Sequence, residues 1–210
     1  MKIVHFTSAP MDNNTFLVID EATQMAALID PSFDTEAMLP EIEKAGITLQ
    51  YLLNTHAHFD HSVGNRPVLE RFPKALFGLH RAALPQLQRL PDTLSHFGFD
   101  SISSPEPHFW LEEEKPVVLG ESELNCLLTP GHAPGHITFT FDDVAIVGDC
   151  LFRNSIGRTD IPDSSYQELM HSIRTRLLPL PDETQVLPGH GGFTTIGQER
   201  KSNPHLREIV

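Results

Sequence analysis

Four stretches of the chain run from an apolar segment straight into histidine or aspartate. They are YLLNTHAHFDH, ending at His61; NCLLTPGH, ending at His132; VAIVGD, ending at Asp149; and QVLPGH, ending at His190. Imidazole and carboxylate without thiolate suit zinc, iron or manganese. The first stretch is the densest. His56 and His58 are two apart, so in an extended segment both imidazoles project the same way and suit one ion. Asp60 and His61 are adjacent and point differently, toward a second centre. Four such residues in six positions exceed what one tetrahedral ion takes from a single loop, and His132 and His190 also need partners. The candidates His56, His58, Asp60, His61, His132, Asp149 and His190 divide between two divalent ions if one carboxylate bridges, and Asp149 has the two oxygens for it. Two ions sharing a water lower its pKa toward neutrality while polarising a carbonyl, so hydrolysis through a bridging hydroxide is the expected chemistry, with Asp60 and Asp149 at its centre. Zinc is expected first, with iron or manganese as alternatives.

The elements that must position these residues are legible in outline. Residues 2–6, 15–19 and 25–29 are short β-type runs separated by Asp12-Asn13-Asn14 and Asp20-Glu21, which suits an antiparallel meander. Residues 34–45 have helical character with Ala37, Met38, Ile42 and Ala45 on one face, and Gly46 stops them. A strand at 50–53 feeds the first ligand stretch. Residues 64–71 read as helix, 75–78 as strand and 80–88 as helix. From 90 to 115 periodicity is lost among prolines, an acidic run and the aromatics Phe97, Phe99, Phe109 and Trp110. A loop of that length is expected to be functional, its rings either roofing an apolar acyl group or packing on a sheet edge. Strands follow at 117–119, 124–129, 137–141, 144–147 and 185–187, with a helix over 164–178. The four ligand stretches are expected to converge at one edge of a sheet, where Gly131 and Gly189 permit turns that aim the next histidine. Grouped strands with helices between the groups indicate an α/β (α+β) fold of packed sheets with helices outside. No linker divides the 210 residues, which read as one domain.

The 28 acidic and 15 basic residues give a formal charge of −13, which repels phosphate backbones and anionic lipids. Nucleic acid and membrane surfaces are therefore disfavoured as partners. Two cysteines, no apolar leader and no membrane-length apolar run read as a reduced, cytoplasmic protein acting on a small molecule.

THAHFDH together with His132, Asp149 and His190 resembles the metallo-β-lactamase fold superfamily, over about residues 16–206. Within it, GDCLFRNSIGRTD, PGHGGFTTIGQER and the closing NPHL are similar to the short bacterial glyoxalase II-like group, that is, hydroxyacylglutathione hydrolases. The resemblance implies an αββα sandwich of two mixed sheets. It implies that His56, His58 and His132 hold one metal, that Asp60, His61 and His190 hold the other, and that Asp149 bridges. It also implies thioester hydrolysis. Three departures narrow it. β-Lactamases of this fold are typically secreted and use a cysteine where Asp149 stands, which argues against antibiotic hydrolysis. Flavodiiron relatives carry glutamate at the place of His58. Long glyoxalase II enzymes add a helical region that grips glutathione, whereas twenty residues follow His190 here. The GRTD motif and the later Glu-Arg and Asn-Pro pattern also resemble persulfide dioxygenases, which use one iron. That chemistry and a non-catalytic metal-binding scaffold are the competing expectations.

Smaller signals surround this set. Asp30, just before Pro31, either supports a metal histidine from behind or simply makes a turn, and Thr55 shares that ambiguity. Arg158 and Asp160 are expected to brace the loop after Asp149 by an internal ion pair. Cys150 is expected to face away as a small buried hydrophobe. His136 either supports the centre or packs in a strand. His5, His80, His96, His108, His171 and His205 lack ligand spacing.

Overall fold

Alternating apolar residues near the amino terminus begin a sheet whose two faces are both covered. The computed structural model describes residues 1–207. Strands β1 (Lys2–Ser8), β2 (Asn13–Asp20) and β3 (Met25–Ile29) form the expected antiparallel meander. Helix α1 (Thr35–Lys44) leads to β4 (Thr48–Leu53), and α2 (Phe59–Ser62) and α3 (Asn65–Arg71) lead to β5 (Leu76–His80). Helices α4 (Leu84–Gln88) and α5 (Leu90–His96) precede β6 (Phe109–Leu111). Strands β3 to β6 pair in parallel, so the first sheet has the order β1-β2-β3-β4-β5-β6.

The second sheet begins with β7 (Val117–Leu119), β8 (Ser122–Leu128), β9 (Ile137–Phe141) and β10 (Val144–Gly148). A small hairpin, β11 (Leu151–Phe152) and β12 (Ser155–Ile156), stands apart. Helix α6 (Tyr166–Ser172), prolonged by a π-helical turn over Ile173–Leu177, leads to β13 (Gln185–Pro188) and β14 (Thr194–Thr195), and α7 (Ile196–Ser202) follows. The order is β14-β13-β10-β9-β8-β7.

Alternation decides which residues face which layer. Phe16, Val18, Ala27 and Ile29 of the first sheet meet Leu124, Cys126, Phe139 and Ile146 of the second in the inner core. Leu17, Ile19 and Leu28 face outward instead, against Met38, Leu39 and Ile42 of α1 and Val68 of α3. Ala145, Val147 and Val186 pack outward against Leu169, Ile173, Leu177 and Ile196. The layers are helix, sheet, sheet, helix, as expected.

Topology sends the ligand stretches to one end. Strand β9 runs antiparallel to both β8 and β10, and β10 is parallel to β13, so the carboxyl ends of β8, β10 and β13 coincide. The parallel pair β3 and β4 likewise ends together, with Asp30 N donating to Leu53 O at 3.0 Å. Ile137 N to Thr55 O (2.8 Å) and Asn14 N to Gly189 O (2.7 Å) tie the two sheets at this end. The convergence thus joins two sheets rather than lying on the edge of one.

Other expectations need correction. Asn13 and Asn14 are buried strand residues, and the turn precedes them. The buried face of α1 uses Leu39 and Thr35, whereas Ala37 and Ala45 are exposed. The 90–115 segment contains α5 and β6. Its Pro91 falls in the first turn of α5, where a missing N–H costs no hydrogen bond. The β11–β12 hairpin, β14 and α7 were not anticipated; α7 starts where Thr195 Oγ1 accepts from Gln198 N. Among the described residues no helix is long and apolar enough to cross a membrane. Cys126 and Cys150 are both free and buried.

Candidate metal centre

The segment after β4 carries His56 and His58 and then coils into the single turn of α2, which turns Asp60 and His61 inward. The donor atoms of His56, His58 and His132 lie within 4.8 Å of one another, and so do those of Asp60, His61 and His190. Each triad therefore takes two side chains from the first sheet's loop and one from the second sheet. Asp149 lies between them. Its Oδ2 is 3.6 Å from His132 Nε2 and 3.5 Å from His190 Nε2, and its Oδ1 is 3.4 Å from His61 Nε2. All seven predicted residues meet.

The rings are oriented from behind. His56 Nδ1 donates to Thr55 Oγ1 (3.0 Å), His61 Nδ1 to Asp30 Oδ2 (3.1 Å), His132 Nδ1 to the Arg158 carbonyl (2.9 Å) and His190 Nδ1 to the Met11 carbonyl (3.0 Å). With the proton held on Nδ1, each Nε2 presents a lone pair inward. His58 differs, facing His132 Nε2 with its Nδ1 at 2.9 Å. Burial first, then repulsion by His132, pushes His58 down to about 3, and burial also drives His56 far below the usual imidazole range. Burial opposes protonation of His61, but Asp149 and Asp60 outweigh it and raise its pKa. For Asp60, burial is overcome by His61 and by His190 beside it, which bring it to about 2.

These residues fit a pair of divalent cations. His56 Nε2 and Asp149 Oδ1 are buried without a hydrogen-bond partner, an arrangement that costs energy unless a cation completes it. The 2.9 Å approach of two imidazole nitrogens, His58 to His132, asks for the same. Glycine makes the room. A Cβ at Gly189 would run into Asp149 Oδ1 and stand 2.6 Å from His61 Cε1, and one at Gly148 would stand 2.7 Å from His136 Nε2. Gly189 does not take the left-handed backbone expected of a turn glycine; what it supplies is space.

Asp30 and Thr55 sit directly behind the cluster. Asp30 Oδ1 accepts from Thr55 N (2.7 Å) and Oδ2 from Thr55 Oγ1 (2.6 Å) as well as from His61. Asp30 also closes a geometric triad with His56 and His61, but its oxygens are already taken by these donors. Arg158 and Asp160 form the expected ion pair, at 2.8 and 3.0 Å, on the surface. Arg158 reaches the centre only through its carbonyl. His136 stacks on His56 (5.0 Å between centroids), and its Nε2 accepts from Asp149 N at 3.2 Å. Cys150 is buried, and burial pushes its thiol well above the usual range.

Sequence reasoning missed Asn13, whose Nδ2 donates to Asp60 Oδ2 at 3.0 Å, and Asn14, whose Nδ2 donates to the carbonyls of Pro188 and Gly191 at 2.9 Å each. Asn13 is 47 positions from its partner and Asn14 is 174 and 177 from its own, and no spacing signal links them. The centre floors a cleft of about 840 Å³. Of the loop aromatics only Phe97 lines it, stacked on Phe59. Phe99 packs on Phe33, Phe109 on Tyr51, and Arg81 covers Trp110.

This chain is similar to the hydroxyacylglutathione hydrolase GloC of Haemophilus influenzae, 38% identical over 92% of each chain. It is 32% identical to the human mitochondrial persulfide dioxygenase ETHE1, over 91% of this chain and 70% of that one. Among solved structures, BLEG-1 B3 metallo-beta-lactamase superposes with a TM-score of 0.87 at 31% identity, covering 98% of this chain and 100% of the other. TTHA1623 in a di-iron-bound form superposes with a TM-score of 0.86 at 35% identity, covering 96% and 98%. Residues 9–190, which span the first strand's end to the last histidine of the cluster, match the model of the metallo-beta-lactamase superfamily. With that match, the helix–sheet–sheet–helix layering and a His/Asp cluster suited to divalent metals, the chain belongs to the metallo-β-lactamase superfamily.

Proposed function

We propose that this protein is a dinuclear metal-dependent hydrolase of the glyoxalase II type, cleaving a small thioester. The observation that carries the reading is Asp149, whose two oxygens reach both triads while Oδ1 has no hydrogen-bond partner. His56, His58 and His132 would hold one ion, Asp60, His61 and His190 the other, and Asp149 would bridge. Two divalent cations, zinc first among the candidates, supply Lewis acidity when bound, acidifying a water and polarising an acyl carbonyl. The chain's own part is to hold and orient. Asp30, Thr55 and two backbone carbonyls keep the protons of four imidazoles on Nδ1, away from the centre. Asn13 fixes one oxygen of Asp60, and His136 fixes the backbone of Asp149. Leu90, Phe97, Phe152 and Ile156 give the cleft beside the centre an apolar wall. In the overall reaction water gives its oxygen to the acyl carbon, the C–S bond breaks, and a carboxylate, a thiol and a proton leave.

The similarity to GloC covers most of both chains and supports thioester hydrolysis. A second reading, one-iron persulfide oxygenation, draws on the similarity to ETHE1. The complete second triad favours two ions. Metal content per chain, on protein purified without added metal, separates them: close to two with turnover of S-lactoylglutathione or another thioester supports the hydrolase. One iron with oxygen uptake on glutathione persulfide reverses the order. Lactones and a β-lactam belong in the same assay, given the likeness to BLEG-1. Asp60→Ala and Asp149→Ala should abolish turnover in protein that remains folded by circular dichroism.

A further inference from the structure

We infer that the cleft selects thioesters with an apolar acyl group and needs no anionic thiol arm. The inference rests on the hydrolase reading above and narrows its substrate class. Phe59 lies between His58 and Asp60, so an aromatic ring starts at the metal cluster itself. Phe97 stacks on it, with centroids 5.0 Å apart and planes 20° apart, yet stays 58% exposed. Leu90, Phe152, Ile156 and Ile161 continue the lining. A large ring left in water at the rim of an apolar cleft marks a surface awaiting apolar cover.

The charges point the same way. Among the described residues the cleft is lined by two arginines and no lysine. Arg89 already holds Asp163 at 2.5 Å, and Arg158 holds Asp160 at 2.8 and 3.0 Å. Asp163 also lines it, while Asp60 and Asp149 belong to the metal cluster, where bound cations would offset their charge. A carboxylate-bearing arm such as glutathione would have to displace Asp163 or Asp160 to reach either guanidinium group.

The test uses metal-replete enzyme and a series of acetyl, butyryl and hexanoyl thioesters of the neutral thiol N-acetylcysteamine, beside S-lactoylglutathione and S-hexanoylglutathione. Expected is a rise in kcat/KM of roughly fourfold per methylene while the chain is being buried. Hexanoyl-N-acetylcysteamine should then exceed the acetyl ester by at least about 30-fold, with little further gain on glutathione. Phe97→Ala should cut the hexanoyl-to-acetyl ratio about tenfold, and Phe97→Leu should restore most of it. Calorimetry with the uncleavable thioether S-hexyl-N-acetylcysteamine reads binding without turnover, and Phe97→Ala should weaken that too. A flat acyl series, with S-lactoylglutathione preferred by more than about tenfold, overturns the inference. If no thioester is cleaved but the thioether binds in a Phe97-dependent way, the apolar cleft stands and the hydrolase reading falls. If the thioether does not bind, the apolar assignment falls.

Discussion

The first sheet delivers His56, His58, Asp60 and His61 from one loop and braces them largely with side chains, namely Asp30, Thr55 and Asn13. The second delivers His132, Asp149 and His190 from three strand ends, and backbone carbonyls brace its two histidines, that of Arg158 and that of Met11 in the first sheet's β1–β2 turn. It also clears space with Gly148 and Gly189. His136, accepting from Asp149 N, is its one side-chain brace among these. The two arrangements respond to mutation in opposite ways. A side-chain brace fails when its polar group is removed. A backbone brace is indifferent to the side chain of its own residue, whereas the space beside Asp149 and His61 is lost to a single added Cβ at Gly189.

Among changes to residues that support the cluster without belonging to it, Gly189→Ala should be the most damaging. Its Cβ must displace Asp149 or His61, and overpacking of this kind costs roughly 1–3 kcal/mol. A ligand displaced by about 1 Å loses on the order of 100-fold in rate. The expected result is at least that loss in kcat/KM together with lower metal content. A variant with full metal content and near-normal rate would break the contrast at its strongest point.

Asp30→Asn comes next. Asparagine tolerates the left-handed backbone at this position (φ 53°) and keeps the side chain's shape, but it removes the charge and one acceptor. Loss of such a brace typically weakens metal retention by roughly 10–100-fold. Competition with a chelator measures it, and Thr55→Ala should act in the same direction.

Arg158→Ala should change metal retention by less than about twofold in that competition. The carbonyl that accepts from His132 survives, and the exposed pair with Asp160 is worth at most about 1 kcal/mol. A large loss would show that the guanidinium, not the carbonyl, holds this side of the centre.

The smallest effect on the centre is expected at the far end of β2, seven strand steps or roughly 23 Å from Asn13. There Asp20 joins the sheets by a side chain, accepting from Glu121 N at 2.9 Å, from Thr23 Oγ1 at 2.5 Å and from Ser122 Oγ at 3.1 Å. The bond from Glu121 N is the main reason its pKa falls from 3.8 to about 2. The unfolded chain therefore binds the extra proton first, so this contribution to stability is complete above about pH 4 and is lost as pH falls through 2. Urea titrations should show a shallower loss of stability between pH 4 and 2 in Asp20→Asn, with metal content at neutral pH unchanged.

How legible a residue was depended on how local its partners are. HAHFDH could be singled out as a candidate ligand loop because four donor-type residues crowd into six positions. Asn13 could not, since its partner Asp60 is 47 positions away and an Asn-Asn pair after Asp12 has the composition of a turn. Pro91 resembled a helix breaker until its position in the first turn of α5 was known. Gly189 was identified as special for the wrong property, backbone freedom instead of room.

The amino-acid order alone determined the kinds of donors, their attachment to strand ends and the apolar alternation that layers helix, sheet, sheet and helix. Those properties are local, set by side-chain chemistry and a two-residue period. Tertiary structure alone decided that each triad draws on both sheets, that Asn13 fixes an oxygen of Asp60, and that both cleft arginines are already paired. Such relations depend on which strands lie side by side and in which direction, and contacts between distant positions acquire geometry only when the two sheets pack.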